Sequence, residues 1–334
     1  MKVLVTGGCG YIGSHTIVDL LQNGYEVICV DNNSRSGLSL LEGARSITGK
    51  DIPFHQADIC DYEALRSVFS QYEIGGVIHF AAFKSVDESV KQPLLYFQNN
   101  LVSQINMLRC CTEFGIKNFV FSSSCSVYGN ADVIPVTEET VLKVAESPYG
   151  RTKQIGEDMI HDIAKVSEAS YILLRYFNPA GAHPSVVIGE VPFGRPSNLV
   201  PAITQFAAGK LPQLKVFGTD YDTRDGSCIR DFVHVSDIAH AHTLAMDYLV
   251  NNKNQSNCEI FNLGTGNGVT VLETIAAFES VTGKKLDYKL DDRRPGDVVA
   301  VYANNDKARN LLNWVPAYSL EDIMRTAWAW EMKL

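Results

Sequence analysis

Short apolar runs alternate with longer amphipathic stretches through the first half of the chain. The apolar runs, rich in β-branched and aromatic residues, lie at 2–6, 25–30, 53–58, 76–82, 118–124 and 171–178. Apolar positions recur with helical spacing at 11–22, 62–71, 89–114 and 148–166. Strands that are almost wholly apolar and alternate with helices are typical of a parallel sheet covered on both faces. Such sheets bind ligands beyond the carboxyl ends of their strands.

The regular alternation ends near residue 178, and the remaining chain is richer in proline, glycine and loops. We predict an α/β fold in two parts. Residues 1–178 form a Rossmann-type, doubly wound parallel sheet, and residues 179–334 form a smaller α/β substrate domain. Some C-terminal segments are expected to pack back on the first domain.

Composition and charge argue against several classes of function. The net charge of −9 disfavours nucleic-acid binding, which normally needs a basic surface. No apolar run is long enough to span a bilayer, and the short apolar start lacks the features of a signal sequence. The eight cysteines include no CxxC pair, which favours free thiols in a reducing compartment over a zinc or redox site. We therefore expect a cytoplasmic protein.

A glycine-rich segment, TGGCGYIG at 6–13, joins the first predicted strand to the first predicted helix. Its glycines allow a tight turn, and the helix that follows points its N–H groups at an anion such as a pyrophosphate. Asp31 closes the second strand, where an acid binds the adenosine ribose and repels a 2′-phosphate. The loop alone would fit a plain turn, but the loop and acid together indicate a dinucleotide. We favour NAD over NADP, although the nearby Arg35 weakens that preference.

The segment SPYGRTK, residues 147–153, contains a second candidate site. Tyr149 and Lys153 are four residues apart and share a helix face, while Ser147 can cap that helix and Pro148 suits its first turn. Such a pair alone would be unremarkable on a surface helix. Ser124, however, ends the preceding strand, close to the expected nicotinamide.

The three side chains Ser124, Tyr149 and Lys153 have a chemical logic together. The ammonium of Lys153 and an oxidised nicotinamide are both positive, so they favour the phenolate of Tyr149. Tyr149 then becomes a usable base near neutral pH. Ser124 can hydrogen-bond the substrate oxygen, and Lys153 can also hold the nicotinamide ribose.

These segments together resemble the extended short-chain dehydrogenase/reductase family. Further segments at 79–90, 174–190, 216–239 and 293–304 are similar to the UDP-galactose 4-epimerases within it, so the resemblance covers nearly the whole chain. It implies an isomerase that holds NAD tightly. In that family, the tyrosine takes the proton of the sugar 4-hydroxyl while the C4 hydride passes to NAD. The 4-keto sugar then turns over and receives the hydride on its opposite face.

The resemblance also implies the cofactor contacts. The pyrophosphate would meet the loop and helix start at Gly7, Gly10, Tyr11, Ile12 and Gly13. The adenosine end would contact Asp31, Asn32, Ser36, Asp58 and Ile59. The remaining cofactor positions are Phe80, Ala81, Ala82, Lys84, Asn99, Tyr149, Lys153 and Tyr176.

The substrate contacts are implied in the same way. The predicted positions are Lys84, Ser124, Tyr149, Phe177, Asn178, Asn198, Leu199, Phe217, Arg230, Arg294, Asp297 and Val301. Arg230 and Arg294 match diphosphate-binding arginines, and Asp297 matches a residue near the ribose. Val301 stands where a bulky aromatic would face the sugar 2-substituent, so we expect room for an N-acetyl group. The scattered histidines, among them His79, His234, His240 and His242, are expected to be structural, with no metal bound.

Several other interpretations stay open. A nucleotide-sugar 4,6-dehydratase would need an Asp-Glu pair after the serine, where this chain has Cys125 and Ser126. A UDP-uronic acid or UDP-pentose 4-epimerase would differ in a few sugar contacts only. A non-catalytic NAD sensor would tend to lose the tyrosine or the lysine. The predicted helices 89–114 and 148–166 could pair across a two-fold axis into a homodimer, as in the resembled family.

Overall fold

The structure is a computed structural model that describes residues 1–194, 196, 198–293 and 298–334. Its strands are β1 (Lys2–Thr6), β2 (Glu26–Asp31), β3 (Phe54–Gln56), β4 (Gly76–His79), β5 (Asn118–Ser122), β6 (Ser170–Tyr176), β7 (Asn178–Ala180), β8 (Leu214–Phe217), β9 (Ile229–Arg230), β10 (Phe232–His234), β11 (Cys258–Leu263), β12 (Val269–Thr270) and β13 (Tyr288–Asp291). Its helices are α1 (Tyr11–Gln22), α2 (Ser39–Thr48), α3 (Tyr62–Phe69), α4 (Val86–Lys91), α5 (Pro93–Glu113), α6 (Pro148–Ala164), α7 (Leu199–Ala207), α8 (Val235–Val250), α9 (Val271–Thr282), α10 (Asp306–Leu312) and α11 (Leu320–Glu331), with a 3-10 turn at Cys125–Tyr128.

A seven-stranded parallel sheet, in the order β11-β6-β5-β4-β1-β2-β3, forms the centre of the molecule. Successive side chains of β1 enter opposite layers: Val3 and Val5 pack in one core, and Leu4 packs in the other. Helices α1 and α8 contact each other over the first core, whereas α5 and α6 contact each other over the second. The predicted Rossmann-type sheet, covered on both faces, is therefore confirmed.

Four of the predicted strands are too long at their carboxyl ends, and the one predicted at 53–58 ends at Gln56. β4 ends at His79 and β5 at Ser122, so residues 80–82 and 123–124 leave the sheet and run along its carboxyl edge. The predicted strand at 171–178 ends at Tyr176, and Asn178 begins a separate two-stranded pairing with β10.

The single helix predicted over 89–114 is wrong. It is two helices, α4 and α5, separated at Gln92, whose φ and ψ are −134° and 59°. Pro93 causes the break because the proline ring excludes the helical conformation from the residue before it. Pro93 then begins α5, where its missing N–H costs nothing.

Segments from the second half of the chain contribute to the central sheet. β11 pairs with β6 at the sheet edge, and α8 packs on α1. A third core, containing Val200, Val216, Phe278 and Met324, lies among α7, β8, α9 and α11. The division at residue 178 stays a prediction. No helix within the described ranges is long and apolar enough to cross a membrane.

Candidate active site

The glycine loop closes because two of its glycines lack side chains. Gly7 has a φ of +68°, and a Cβ there would lie 2.8 Å from the Ala81 nitrogen. A Cβ at Gly13 would lie 2.3 Å from the Gly7 oxygen, so only glycine lets α1 approach the turn. The Gly10 N–H donates to the Gly7 carbonyl at 3.0 Å, and α1 begins at Tyr11, with Ile12 packed on the core. The first N–H groups of α1 have no carbonyl partner within the helix, which suits them to the predicted anion.

Asp31 occupies the end of β2, beside the glycine loop. One carboxylate oxygen accepts from the Cys9 N–H at 3.1 Å, and the other accepts from the Asn33 N–H at 2.9 Å and the Ser36 hydroxyl at 3.1 Å. The carboxylate is thus fixed beside the glycine loop, together with Ser36, and the ribose contact at these residues stays a prediction. The neighbouring Asn32 side chain accepts from the Ser34 N–H at 3.0 Å.

The other predicted cofactor residues follow the ends of β3 and β4. Asp58 is exposed and Ile59 is buried, two and three residues past β3. Phe80, Ala81 and Ala82 are half-buried along the segment after β4. Asn99, on α5, donates to the Asn100 side chain at 2.9 Å. These positions lie along the same carboxyl edge as the glycine loop.

The helix that carries Tyr149 and Lys153 begins as the sequence predicts. Ser147 caps α6 by accepting from the Gly150 N–H at 3.1 Å, and Pro148 occupies the first turn. Lys153 is buried, and its ammonium donates to the Ser122 carbonyl at 2.6 Å. Helix α6 is thereby tied to the carboxyl end of β5.

Ser124 and Tyr176 lie close to the Tyr149 phenol. The Ser126 hydroxyl donates to the Ser124 hydroxyl at 3.0 Å, and the Tyr176 and Ser122 hydroxyls are 2.5 Å apart. Burial and the neighbouring Tyr176 raise the pKa of Tyr149 above its ordinary value, and these effects outweigh a hydrogen bond with Ser124 that lowers it. The chain's own groups therefore keep the phenol protonated near neutral pH, and a phenolate requires further positive charge at this site.

The ammonium of Lys153 is sensitive to its surroundings. Burial lowers the pKa of Lys153 to about 8, although the Glu157 carboxylate acts in the opposite direction. Near neutral pH this lysine therefore carries its proton, but its pKa lies closer to the ambient pH than that of a lysine in water. Its charge depends on the groups around it.

Several residues predicted to bind the sugar and the diphosphate lie near the 3-10 turn. Phe177 and Val301 are buried in one cluster with Val127 and Tyr128. The guanidinium of Arg230 donates to the Val298 carbonyl at 2.7 Å. Burial raises the pKa of the Cys125 thiol to about 12, and the charge of Arg230 acts against that rise, which places the guanidinium near the turn.

Asn178 lies between these groups and β10. Its N–H donates to the Asp231 carbonyl at 2.9 Å, while its buried side-chain oxygen has no hydrogen-bond partner among the described residues. Phe217 ends β8. Arg294 and Asp297 lie outside the described residues.

Two further predicted residues meet at Glu190. Lys84 and Asn198 are both exposed, and both approach the same carboxylate oxygen of Glu190, at 3.3 and 3.0 Å. Asn198 directly precedes Leu199, the first residue of α7. Lys84 follows β4, so Glu190 joins the cofactor side of the site to the substrate side.

Comparisons with known proteins agree with this geometry. A family model described as GDP-mannose 4,6 dehydratase matches residues 4–327. The "UDP-glucose 4-epimerase 2" of Arabidopsis thaliana is 48% identical over 333 residues, which cover 98% of this chain and 94% of that protein. The chain belongs to the UDP-glucose 4-epimerase family.

Solved structures of this family share the whole fold. The UDP-glucose-4-epimerase of Stenotrophomonas maltophila, crystallised with NAD and formylated UDP-arabinopyranose, has a TM-score of 0.96 and 45% identity, covering 100% of this chain and 98% of that one. The Bifidobacterium longum UDP-glucose 4-epimerase, in complex with NAD+ and UDP, has a TM-score of 0.95 and 40% identity, with the same coverage. The predicted membership of the extended short-chain dehydrogenase/reductase family is confirmed.

Sequence reasoning missed several polar residues that hold the site of this epimerase together. Asn100, on the buried face of α5, donates to the Phe83 carbonyl at 3.0 Å and to the Thr152 hydroxyl at 3.1 Å. It fixes the segment after β4 to α6. The sequence offered one signal for Asn100, a polar side chain at an otherwise apolar helical position. Because buried amides are normally hydrogen-bonded, such a position predicts a contact with a neighbouring segment. Glu190 carried no comparable signal.

Three of the histidines singled out in the sequence, His79, His234 and His242, are buried. Burial lowers the pKa of His79 to about 3 and that of His242 to about 4, and His79 lies 2.8 Å from the Thr6 hydroxyl. His234 is also buried, and its pKa is lowered to about 4. Within the described residues, no group of three or more His, Cys, Asp or Glu side chains is arranged to hold a metal ion.

Proposed function

We propose that this protein is an NAD-dependent UDP-glucose 4-epimerase that interconverts UDP-galactose and UDP-glucose. The observation that carries the proposal is one arrangement at the carboxyl edge of the sheet. Ser124 and Tyr149 lie together after β5, on the edge where the glycine loop and Asp31 also lie. Membership of the epimerase family gives this arrangement its reaction.

The residues present fit the dinucleotide. The close approach of Gly13 to Gly7 leaves the first turn of α1 open to a pyrophosphate, and the fixed Asp31 carboxylate suits two ribose hydroxyls. Lys84, Asn99, Lys153 and Tyr176 would contact the cofactor farther along the edge. When bound, NAD supplies a nicotinamide ring that accepts a hydride and returns it.

The chain's own residues move the proton and orient the sugar. Tyr149 takes the proton from the sugar 4-hydroxyl and later gives it back, and Ser124 hydrogen-bonds the same oxygen. The positive charge of Lys153, held at the Ser122 carbonyl, favours the deprotonated phenol. The hydrogen bond between Ser124 and Tyr149 acts in the same direction.

The nucleotide and sugar are held from the second half of the chain. We assign the diphosphate to Arg230 and Arg294 because a guanidinium offers phosphate two parallel N–H donors. Phe177, Asn178, Asn198, Leu199, Phe217, Asp297 and Val301 would complete the pocket. The small side chain at Val301 leaves room beside the sugar 2-substituent, so we expect the N-acetylated pair of UDP-sugars to be accepted as well.

The dehydratase alternative is disfavoured at the 3-10 turn. Elimination of water needs an acid and a base beside the serine, whereas Cys125 is a thiol whose pKa burial raises to about 12 and Ser126 is a hydroxyl. The match to a dehydratase family model reflects the shared fold and cofactor chemistry. A UDP-uronic acid or UDP-pentose 4-epimerase remains the second candidate, because its sugar contacts would differ at few positions.

We also infer a homodimer. Leu95, Val102 and Ile105 are exposed at seven- and three-residue spacing on α5, beside a groove of about 430 Å³ between α5 and α6. A second copy would cover this apolar surface.

A cytoplasmic location is our proposal too, and it rests on the eight cysteines, all of them free thiols.

The test is an assay without added cofactor. Purified protein is incubated separately with UDP-galactose, UDP-glucose, a UDP-uronic acid and a UDP-pentose, and the products are separated by chromatography. We expect interconversion of the first two, and loss of turnover by about 100-fold or more in Tyr149→Phe. Full-speed turnover in that variant, or turnover of the uronic acid or pentose alone, would contradict the proposal.

A further inference from the structure

A buried ion pair joins the proposed catalytic helix α6 to strand β6. Glu157, on α6, and Arg175, on β6, are exposed by only 2% and 3%. Two guanidinium nitrogens donate to the two carboxylate oxygens, Nε to Oε1 at 3.0 Å and Nη2 to Oε2 at 2.6 Å. Glu157 follows Lys153 by four residues and Tyr149 by eight, so all three share one helix face.

The pair also contacts the segment that carries Ser124. The Ser123 hydroxyl donates to Glu157 Oε1 at 2.5 Å, and the Ser123 N–H donates to the Leu174 carbonyl at 2.9 Å. Lys153 donates to the carbonyl of Ser122, the residue before. The chain between β5 and the 3-10 turn is thus held from α6 by two side chains, Lys153 and Glu157.

The groups that face this pair and Lys153 are otherwise neutral near pH 7. Burial lowers the pKa of His79 on β4 to about 3, and it raises the pKa of Tyr128, Tyr176 and Cys258 to about 12 each. Burial also raises the pKa of Tyr96 on α5 and of Tyr149. Among the described residues, Glu157 is the carboxylate that contacts Arg175 and raises the pKa of Lys153. Glu138 acts on the neighbouring Tyr128, and Glu259 and Lys307 act on Cys258.

We propose that Glu157 is a positioning residue of the epimerase reaction. Glu157 keeps Lys153 protonated and, through its hydrogen bond with Ser123, fixes the position of Ser124. The inference rests on the proposed function above. Without the carboxylate, Lys153 would lose the negative charge that raises its pKa, and the Arg175 guanidinium would be buried without its ion-pair partner. The cheapest response is loss of the Lys153 proton, which removes the charge that favours the Tyr149 phenolate.

The deciding variant is Glu157→Gln, which keeps the shape and one acceptor oxygen but removes the charge. We expect the alkaline limb of the kcat profile to move to lower pH by about one unit. At pH 8.5 kcat should fall about tenfold, while KM changes less than about twofold because Glu157 does not touch the sugar. Removing the unpaired guanidinium as well, in Glu157→Gln with Arg175→Met, should move the limb back toward that of the unaltered enzyme.

A second measurement separates this inference from the proposed function. Lysine side-chain nitrogens labelled with ¹⁵N are titrated by NMR in the unaltered protein and in Glu157→Gln, and the Lys153 signal is assigned with Lys153→Met. We expect the Lys153 midpoint to fall by about one pH unit, whatever sugar the enzyme turns over. If Glu157→Gln does not fold, Ser123→Ala tests the other contact: it should lower kcat and leave the Lys153 midpoint unchanged. An unchanged midpoint and pH profile in folded Glu157→Gln, or unaltered kcat in Ser123→Ala, would overturn the proposal.

Discussion

Arg35 and Glu88 form an ion pair beside the proposed adenosine site, with 2.8 Å between Nη2 and Oε1. The other carboxylate oxygen accepts from the Tyr96 hydroxyl at 2.8 Å. The guanidinium also lies 4.5 Å from the centre of the Phe83 ring and 4.9 Å from that of Phe193. Arg35, four residues after Asp31 in the sequence, is therefore engaged by a carboxylate, which explains how an NAD enzyme tolerates a cation there.

This pairing predicts how cofactor preference can be changed. Asp31→Ser should reduce the NAD that co-purifies with the protein, because the ribose loses its acceptor. The same variant should no longer repel the 2′-phosphate of NADP. Adding Glu88→Gln should raise the NADP-to-NAD ratio about fivefold or more, because Arg35 is released to bind the phosphate. The ratio is measured by chromatography of the nucleotide extracted from denatured protein after exposure to both cofactors.

The matched control adds Arg35→Ala to the double variant. It should return the ratio to that of Asp31→Ser alone. Equal NADP binding with and without Arg35 would show that another group accepts the 2′-phosphate.

The second prediction concerns Val301 and the breadth of sugars. Val301→Tyr should abolish turnover of UDP-N-acetylglucosamine and UDP-N-acetylgalactosamine while leaving turnover of UDP-glucose and UDP-galactose within about threefold, because the ring would occupy the space of the N-acetyl group. Values of kcat/KM are measured for all four sugars. Val299→Tyr is the control, since it adds the same ring at an exposed position two residues away. Parallel loss of all four activities in Val301→Tyr would refute the steric account.

The sequence predicted those parts of the site that follow from local geometry and sheet topology. The approach of Gly13 to Gly7 joins residues only six apart, and Ser124 approaches Tyr149 because the carboxyl ends of parallel strands share an edge. Glu190 could not be found in this way. Its partners lie 106 residues before it and 8 residues after it, on loops whose side-chain directions no periodic pattern determines.

The buried ion pair left a signal that could have been used. Arg175 interrupts the apolar run YILLRYF at 171–177, and an arginine in a buried strand requires a charged or hydrogen-bonding partner. Glu157 lies on the same face of α6 as Tyr149 and Lys153, so it was the nearest candidate.

The helix break at Pro93 could also have been predicted from the sequence. The apolar spacing continues across the proline, however, and favoured one long helix.

The third prediction is a loss of stability in mild acid. Burial lowers the pKa of His15 and His79 to about 3 and that of His234 and His242 to about 4. An unfolded histidine titrates near pH 6.5, so below that pH the unfolded chain binds protons that the folded chain does not. The free energy of unfolding is therefore greatest above pH 6.5 and falls as the pH drops from 6.5 toward 4.

Denaturant unfolding at pH 7.5, 6.0 and 5.0 measures this effect. Each buried histidine contributes a slope of up to about 1.4 kcal/mol per pH unit, so His242→Gln should reduce the total slope by about that amount. His161→Gln, at a partly exposed position on α6, is the control for the substitution itself. A slope that His242→Gln does not alter would mean that other groups cause the acid sensitivity.

The last prediction tests the proposed dimer. Ile105 is 44% exposed on α5 and lines the groove between α5 and α6 together with Met159 and Ile163. Ile105→Glu would place a charge in the centre of a helix-on-helix interface, where burying an unpaired carboxylate costs several kcal/mol. Sedimentation equilibrium should show the mass of two chains for the unaltered protein and of one chain for the variant. Leu290→Glu, on the exposed face of β13, is the matched control and should remain a dimer. Because the charge leaves the intrachain core intact, circular dichroism of Ile105→Glu should be unchanged, and a dimeric Ile105→Glu would place the interface elsewhere.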